Sequence, residues 1–247
     1  MPNYRFGKQP PKIDYRTLRF SDYIAKDLPA PPATYNVLDR VYKDLNDKNP
    51  ADLFPMDGND TIGDCTIAAL AHAITTYQGM VGSKKVIMPK QQVVKLYYHL
   101  TGGVDSGLNE LDVLNYWRQT AVNGDKILAY VKVDPKNHTR VQQAIQMFGG
   151  VYIGFQVQQN CVQEFDAHQP WTPGPLTNDG HAVYVIGYDQ DTVTVLTWGN
   201  IQKGTWAWWD ECVDEAYAIL PPEAENRNFA PGLNFAQLQA DLNAVAS

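Results

Sequence analysis

Apolar residues follow a helical spacing in one half of the chain and a strand spacing in the other. From Cys65 onward they recur every three or four residues, which predicts a helix that begins at this cysteine. Two more helices are predicted over 91–100 and 110–121. After the turn signal Asn123-Gly124-Asp125, the pattern changes to short apolar runs that predict strands.

The predicted strands cover 127–133, 151–157, 181–188 and 193–198, with weaker ones at 206–209 and 216–220 and a short helix over 140–148. Helices therefore precede strands along the chain, which is typical of an α+β fold with two segregated parts. We expect a body over residues 59–222, with a helical lobe over about 59–125 and a strand lobe over about 126–222.

The two ends of the chain differ from this body. The first 58 residues hold half of the 16 prolines, so they predict mainly extended chain, with one short helix near 35–46. Side chains such as Tyr4 and Phe6 make this segment too apolar for a free linker, so we interpret it as an arm packed on the body. In the tail, residues 223–247, a short helix is predicted over 234–245.

Composition excludes several classes of protein. The net charge of −7 argues against binding to nucleic acid or to an anionic membrane, because both require a cationic surface. No apolar run approaches the length of a membrane span, and no secretory signal precedes the arm, so a cytoplasmic protein is the default. A stretch from Asp57 resembles a calcium loop but has Ile62 where an EF-hand requires glycine. The sequence therefore predicts neither a metal nor a cofactor.

Of the three cysteines, Cys65 is the candidate nucleophile. None lies in a C-x-x-C pair, which predicts three reduced thiols, and Cys161 and Cys212 have no motif around them. Cys65 lies in the first turn of its predicted helix, where unpaired N–H groups and a partial positive charge favour the thiolate. The preceding Asp64 could cap the helix, but its charge would oppose the thiolate. A small buried cysteine at a helix start is the alternative.

The candidate base is His181. It opens a predicted apolar strand directly after Asn178-Asp179-Gly180, so a rigid element could present its imidazole to a cleft. The alternative is a histidine that only satisfies backbone groups at the end of a strand.

Three segments in this order resemble the papain-like cysteine proteases. Gly63-Asp64-Cys65 before an alanine-rich helix is similar to the nucleophile segment of that family. The run Gly180-His181-Ala182-Val183-Tyr184-Val185-Ile186-Gly187-Tyr188 is similar to its histidine strand, and Thr197-Trp198-Gly199 to its Asn-Ser-Trp-Gly segment. The resemblance covers residues 59–220. It implies a two-lobe fold, with the cysteine helix in an N-terminal helical lobe and the histidine strand in a C-terminal antiparallel β lobe.

The resemblance also implies a role for each residue. Cys65 would attack a carbonyl, His181 would take and return the proton, and Trp198 would shield the pair. Asn59 stands where the family has an oxyanion-binding glutamine, and it keeps the amide on a shorter side chain.

The position of the residue that orients the histidine departs from the family. Leu196 stands where the family has an asparagine, and a leucine side chain cannot hydrogen-bond an imidazole. Thr197 could replace it if the strand is shifted by one residue, or Asn200 or Asp179 could reach the ring instead.

The sequence thus predicts a thiol hydrolase that cleaves peptide or isopeptide bonds in a peptide or protein substrate through a covalent acyl-enzyme. Two alternatives stay open. The same residues could pass the acyl group to an amine, as in a transferase or ligase. Alternatively, the fold could be an inactive binding or structural module, which Leu196 favours. Rapid labelling of Cys65 by a thiol alkylator would distinguish an enzyme from a binding module.

Overall fold

The structure is a computed structural model that describes residues 3–25, 28–81, 87–222 and 230–246. The helices are α1 Leu38–Leu45, α2 Pro50–Leu53, α3 Cys65–Val81, α4 Lys90–Leu100, α5 Glu110–Gln119, α6 His138–Phe148, α7 Cys161–Asp166, α8 Trp206–Cys212 and α9 Phe235–Ala246. The strands are β1 Tyr35–Asn36, β2 Ala129–Lys132, β3 Val151–Gln158, β4 Leu176–Tyr188, β5 Thr192–Thr197, β6 Asn200–Thr205 and β7 Val213–Leu220. The helices of the first half and the strands of the second confirm the α+β expectation.

One antiparallel sheet separates two apolar cores. Its strands lie in the order β2-β7-β3-β4-β5-β6, and β1 pairs with β4. Along β4, Val183 and Val185 face one core, which α6, α8 and α9 cover, whereas Ala182 and Tyr184 face the other, which α1, α3 and α5 cover. Because both faces of β4 are buried, its sequence is a continuous apolar run rather than an alternating one.

The arm contributes to both cores. Helix α1 packs on α3 and buries Val41 and Leu45 in the core of the helical lobe. Phe20, in a short 3-10 turn, packs on Phe148 of α6 in the other core. None of the described helices has the length and apolar character that a bilayer span requires.

The weaker strand prediction at 206–209 is wrong, because these residues form the first half of α8. The hydroxyl of Thr205 accepts a hydrogen bond from the N–H of Trp208 at 3.1 Å, and this N-terminal cap favours a helix. Trp208 and Trp209 are buried in the core beside the sheet, so aromatic content alone suggested a strand where packing selects a helix. Strand β6 and helix α7 were not predicted, since neither segment has a clear apolar period.

Candidate active site

Cys65 is the first residue of α3, and its side chain is fully buried. The carbonyl of Asp64 accepts hydrogen bonds from the N–H groups of Ile67 and Ala68, so the helix begins immediately after Asp64. Backbone N–H groups of Ala182 and Gly7 face the thiol and favour its ionised form, but burial outweighs them and raises the pKa of Cys65 to about 12. In the conformation described, Cys65 is therefore a thiol at neutral pH.

His181 lies in β4, on the opposite side of the cleft from α3. Its Nε2 is 2.9 Å from the Oγ1 of Thr197, whereas Nδ1 has no hydrogen bond from any described residue. Burial, with a smaller contribution from the nearby His72, lowers the pKa of His181 to about 3. The imidazole is thus neutral, and the contact with Thr197 fixes one of its two nitrogens, Nε2.

A tight hairpin brings Thr197 and Trp198 to His181. Thr197 and Asn200 pair across β5 and β6, and Trp198 and Gly199 form the turn between them with φ values of 51° and 73°. A two-residue turn with positive φ at both positions matches the right-handed twist of the two strands that it connects. The turn directs the indole of Trp198 over the imidazole, with ring centroids 4.7 Å apart and planes 27° apart.

Leu196 faces away from the histidine. It pairs with Tyr184 and Ile201, and its side chain is fully buried in the core of the helical lobe. Of the two alternatives, Asn200 uses its side-chain oxygen to accept a hydrogen bond from the N–H of Ile201, and Asp179 is exposed. The side chain that contacts the ring nitrogen is Thr197, one residue after the leucine.

Asn59 is buried in a loop that carries two buried carboxyl groups. Its Nδ2 donates to Oδ1 of Asp64, and Oδ2 of Asp64 accepts from the N–H of Gly58 at 3.0 Å. Burial raises the pKa of Asp64 to about 7, and burial together with Asp64 raises the pKa of Asp57 to about 8. The carboxyl of Asp64 therefore points toward this loop. Because its pKa is raised, a larger fraction of it is protonated at neutral pH, which reduces the negative charge beside Cys65.

The arm crosses the cleft between the two lobes as an extended segment. On the strand side, the N–H groups of Gly7 and Lys8 donate to the carbonyl of Gly180, the residue before His181, at 3.2 and 3.0 Å. On the helical side, the N–H of Leu108 donates to the carbonyl of Gly7 at 2.8 Å. A peptide segment thus lies in the cleft and is hydrogen-bonded to both walls.

Close backbone packing fixes this segment above the cysteine helix. A Cβ added to Gly7 would lie 1.8 Å from the carbonyl oxygen of Gly63, which is closer than any real contact. A Cβ added to Gly180 would lie 2.5 Å from the carbonyl oxygen of Lys8. Glycine is required at both positions because the arm and the cleft walls approach backbone to backbone.

Two aromatic residues of the arm cover the histidine side. The ring of Phe6 meets His181 edge-on, with ring centroids 5.7 Å apart. The ring of Tyr4 lies on Trp198 at 4.5 Å, and its hydroxyl donates to Asp166 at 2.8 Å. Together with Gly7 above the thiol, these contacts leave Cys65 and His181 without exposed surface.

Sequence reasoning did not identify the residues of the arm that enter the cleft, nor a set of carboxylates beside it. Lys8 is buried against Asp214, Glu215 and Glu110. One signal could have indicated these carboxylates: Glu215 is a charged residue in β7 directly before five buried, mainly apolar residues. Cys161 and Cys212 are buried free thiols outside the cleft. In the described ranges, no group of three or more histidine, cysteine or acidic residues has an arrangement that could hold a metal.

No family model and no curated protein matches this sequence. Solved structures do match its fold. A cysteine protease of Xylella fastidiosa, xylellain, has a TM-score of 0.67 at 18% identity, over 89% of this chain and 97% of that one. A procathepsin L2 of the Tenebrio molitor larval midgut has a TM-score of 0.60 at 15% identity, over 88% of this chain and 78% of that one.

A cysteine protease of Carica candamarcensis, solved with E-64, has a TM-score of 0.52 at 14% identity, over 77% of this chain and 99% of that one. At such low identity the comparisons establish architecture rather than activity. They confirm, at the level of the fold, the resemblance carried by the cysteine, histidine and tryptophan segments. The chain has the papain-like fold.

Proposed function

We propose that the protein is a cysteine peptidase in which Cys65 and His181 hydrolyse peptide or isopeptide bonds. One observation carries the proposal: the thiol at the start of α3 faces the N–H of Ala182, the residue after His181, and Thr197 holds the far nitrogen of that histidine. These contacts support a site in which a nucleophile, a base and a group that orients the base share one cleft.

The proposed reaction uses these groups in two steps. The sulfur of Cys65 attacks the carbonyl carbon, and Nδ1 of His181, which Thr197 leaves available, takes the thiol proton. It returns this proton to the leaving amine as the C–N bond breaks, which forms a thioester. Water then attacks the thioester, and its proton passes through His181 to the departing sulfur.

The backbone N–H of Cys65, at the start of a helix, is the first donor we assign to the oxyanion. Asn59 is the second, and its Nδ2 already donates to Asp64. This bond can fix the amide without consuming it, because an amide nitrogen has two hydrogens. Trp198, stacked on His181, would shield the pair from water.

The arm must leave the cleft before a substrate can enter. It now makes the hydrogen bonds to Gly180 and Leu108 that an extended substrate would need. Burial is also the main reason that the thiol pKa is high and the imidazole pKa is low. Displacing the arm would admit solvent, bring the two pKa values toward each other and favour the reactive thiolate–imidazolium pair.

The test is hydrolysis of a mixed library of internally quenched peptides by Gly7→Val, whose side chain cannot fit against Gly63. We expect cleavage by this variant and none by the double variant Gly7→Val/Cys65→Ala. The matched control is Gly7→Val/Cys212→Ala, which removes a buried thiol outside the cleft and should cleave like Gly7→Val.

Circular dichroism of all three proteins checks that they fold. Cleavage that persists without Cys65 would refute the nucleophile assignment. A folded Gly7→Val protein that binds peptides and cleaves none would favour the inactive binding module.

A further inference from the structure

The arm places a lysine in a pocket of carboxylates. The side chain of Lys8 is 1% exposed, and its Nζ lies 2.9 Å from Oδ2 of Asp214 and 3.2 Å from Oε1 of Glu215. Glu110, the first residue of α5, is fully buried and adds a third carboxyl. Three acidic groups thus surround one cation.

The third carboxyl has no hydrogen-bond partner. Neither Oε1 nor Oε2 of Glu110 accepts a hydrogen bond from a described residue. Burial and the neighbouring Glu215 raise the pKa of Glu110 well above its ordinary value. A buried polar group without a partner is destabilising. The pocket can therefore accept more hydrogen bonds than Lys8 donates.

This pocket lies beside the cleft, next to Gly154 of β3. Gly154 of β3 pairs with Ala182, next to His181, on one side and with Glu215 on the other. A Cβ on Gly154 would lie 1.9 Å from Cε of Lys8 and 2.8 Å from Oε1 of Glu110, so only glycine leaves the entrance open. The backbone N–H of Lys8 donates a hydrogen bond to the carbonyl of Gly180. A peptide chain bound at Gly180 therefore sends one side chain across Gly154 to the carboxylates.

We propose that this pocket, formed by Glu110, Asp214 and Glu215 behind Gly154, selects a basic side chain of the substrate, lysine foremost, and that Lys8 occupies it in place of the substrate. The inference rests on the proposed peptidase function and specifies its substrate. A basic side chain gains charge-assisted hydrogen bonds there, whereas an acidic one meets like charge and an apolar one leaves the carboxylates without a cation.

The first experiment measures kcat/KM of Gly7→Val on internally quenched peptides that differ at one position at a time. We expect one position at which lysine is preferred over norleucine by about tenfold or more, which corresponds to about 1.4 kcal/mol. Glu215→Gln in the same background should reduce this ratio by lowering kcat/KM for the lysine peptide. Asp112→Asn, which changes an exposed carboxylate elsewhere on α5, is the matched control and should leave the ratio unchanged.

In case Gly7→Val does not fold, a second variant displaces the arm by electrostatic repulsion. Lys8→Glu puts a fourth acidic side chain into the pocket and should expel the arm. Lys48→Glu, the same change at an exposed lysine elsewhere in the arm, should leave the cleft closed. Equal cleavage by the two variants, with both folded, would contradict the pocket.

Peptide binding separates failure of the pocket from failure of the peptidase. A fluorescein-labelled peptide of residues 3–12 and its Lys8→norleucine counterpart are titrated into Gly7→Val and followed by fluorescence anisotropy. If no peptide is cleaved but the lysine peptide binds about tenfold more tightly, the peptidase proposal fails and the pocket stands. Cleavage without any basic preference, or equal affinity of the two peptides, overturns the pocket.

Discussion

The two walls of the cleft hold their reacting groups in different ways. On the strand side, His181 is fixed by elements of the sheet itself: Thr197 contacts Nε2, and Trp198 stacks on the ring. On the helical side, one of the two N–H groups that face the thiol of Cys65 belongs to Gly7 of the arm. The contacts that orient the histidine thus belong to the strand lobe, although Phe6 of the arm also covers its ring, whereas one of the two N–H groups at the thiol belongs to the arm.

This difference assigns separate tasks to the two walls. The strand side orients the base whether the arm is present or not, because its contacts arise from the β5–β6 hairpin. The helical side changes when the arm leaves, since the thiol then loses both burial and the N–H of Gly7. We therefore expect the reactivity of the thiol to respond most to the arm, and the orientation of the imidazole to respond most to Thr197.

The largest effect should come from Gly7→Val. In the wild-type protein only the fraction of molecules with a displaced arm can react, so raising that fraction raises the apparent rate. We expect alkylation of Cys65 by iodoacetamide at pH 6.5, followed by mass spectrometry, to accelerate by about 100-fold. The pH profile of the variant should reach half of its maximal rate well below the ordinary thiol pKa of about 8.5.

The control for this variant is Tyr15→Val in the same arm. Tyr15 is 96% exposed, so its replacement should leave the alkylation rate unchanged. Acceleration by both variants would show that the arm loosens generally, and the specific role of the Gly7–Gly63 contact would be lost.

A smaller effect is expected at the orienting position. Thr197→Val keeps the shape of the side chain but removes the contact with Nε2, so the imidazole can rotate. In the Gly7→Val background we expect kcat to fall by about 100-fold with little change in KM, because misplacement of a catalytic group by about 1 Å has this effect. Thr197→Ser keeps the hydroxyl and should restore most of the rate. A loss of stability without a loss of kcat would assign Thr197 a structural role only.

Leu196→Asn tests the same wall from its other face. Leu196 is buried in the helical-lobe core, away from His181, so an asparagine there would bury an unpaired amide. We expect a loss of about 1–3 kcal/mol in the free energy of unfolding and no gain in kcat. A higher kcat would show that the orienting position was vacant.

The residues at this position also show how far the sequence could predict the site. The apolar period predicted α3 with Cys65 at its start, and the strand pattern placed His181 in β4. Whether Leu196 or Thr197 faces the ring depends on the register of β5, and a shift of one residue exchanges the two faces of a strand. Leu196 pairs with Tyr184, and that pairing directs Thr197 toward His181.

The position of the arm could not be predicted for a different reason. Its prolines and aromatic residues indicated an extended segment packed on the body, but no periodicity specifies which surface such a segment covers. That choice depends on tertiary contacts, namely the close approach of Gly7 to Gly63 and the carboxylates around Lys8. These contacts join residues far apart in sequence, so local patterns do not reveal them.

The smallest effect concerns the buried carboxyls of the helical side. Burial, and then Asp64, raise the pKa of Asp57 from its ordinary value to about 8. Because the folded state holds this proton more tightly than the unfolded state, the stabilisation is complete below about pH 4 and is lost as the pH rises toward 8. Asp57→Asn removes this titration, so its melting temperature should fall less between pH 5 and pH 8 than that of the wild type.

Asp64, with its pKa raised to about 7, leaves a weaker dependence of the same sign. If Asp57→Asn and the wild type lose stability in parallel, the titrating group lies elsewhere.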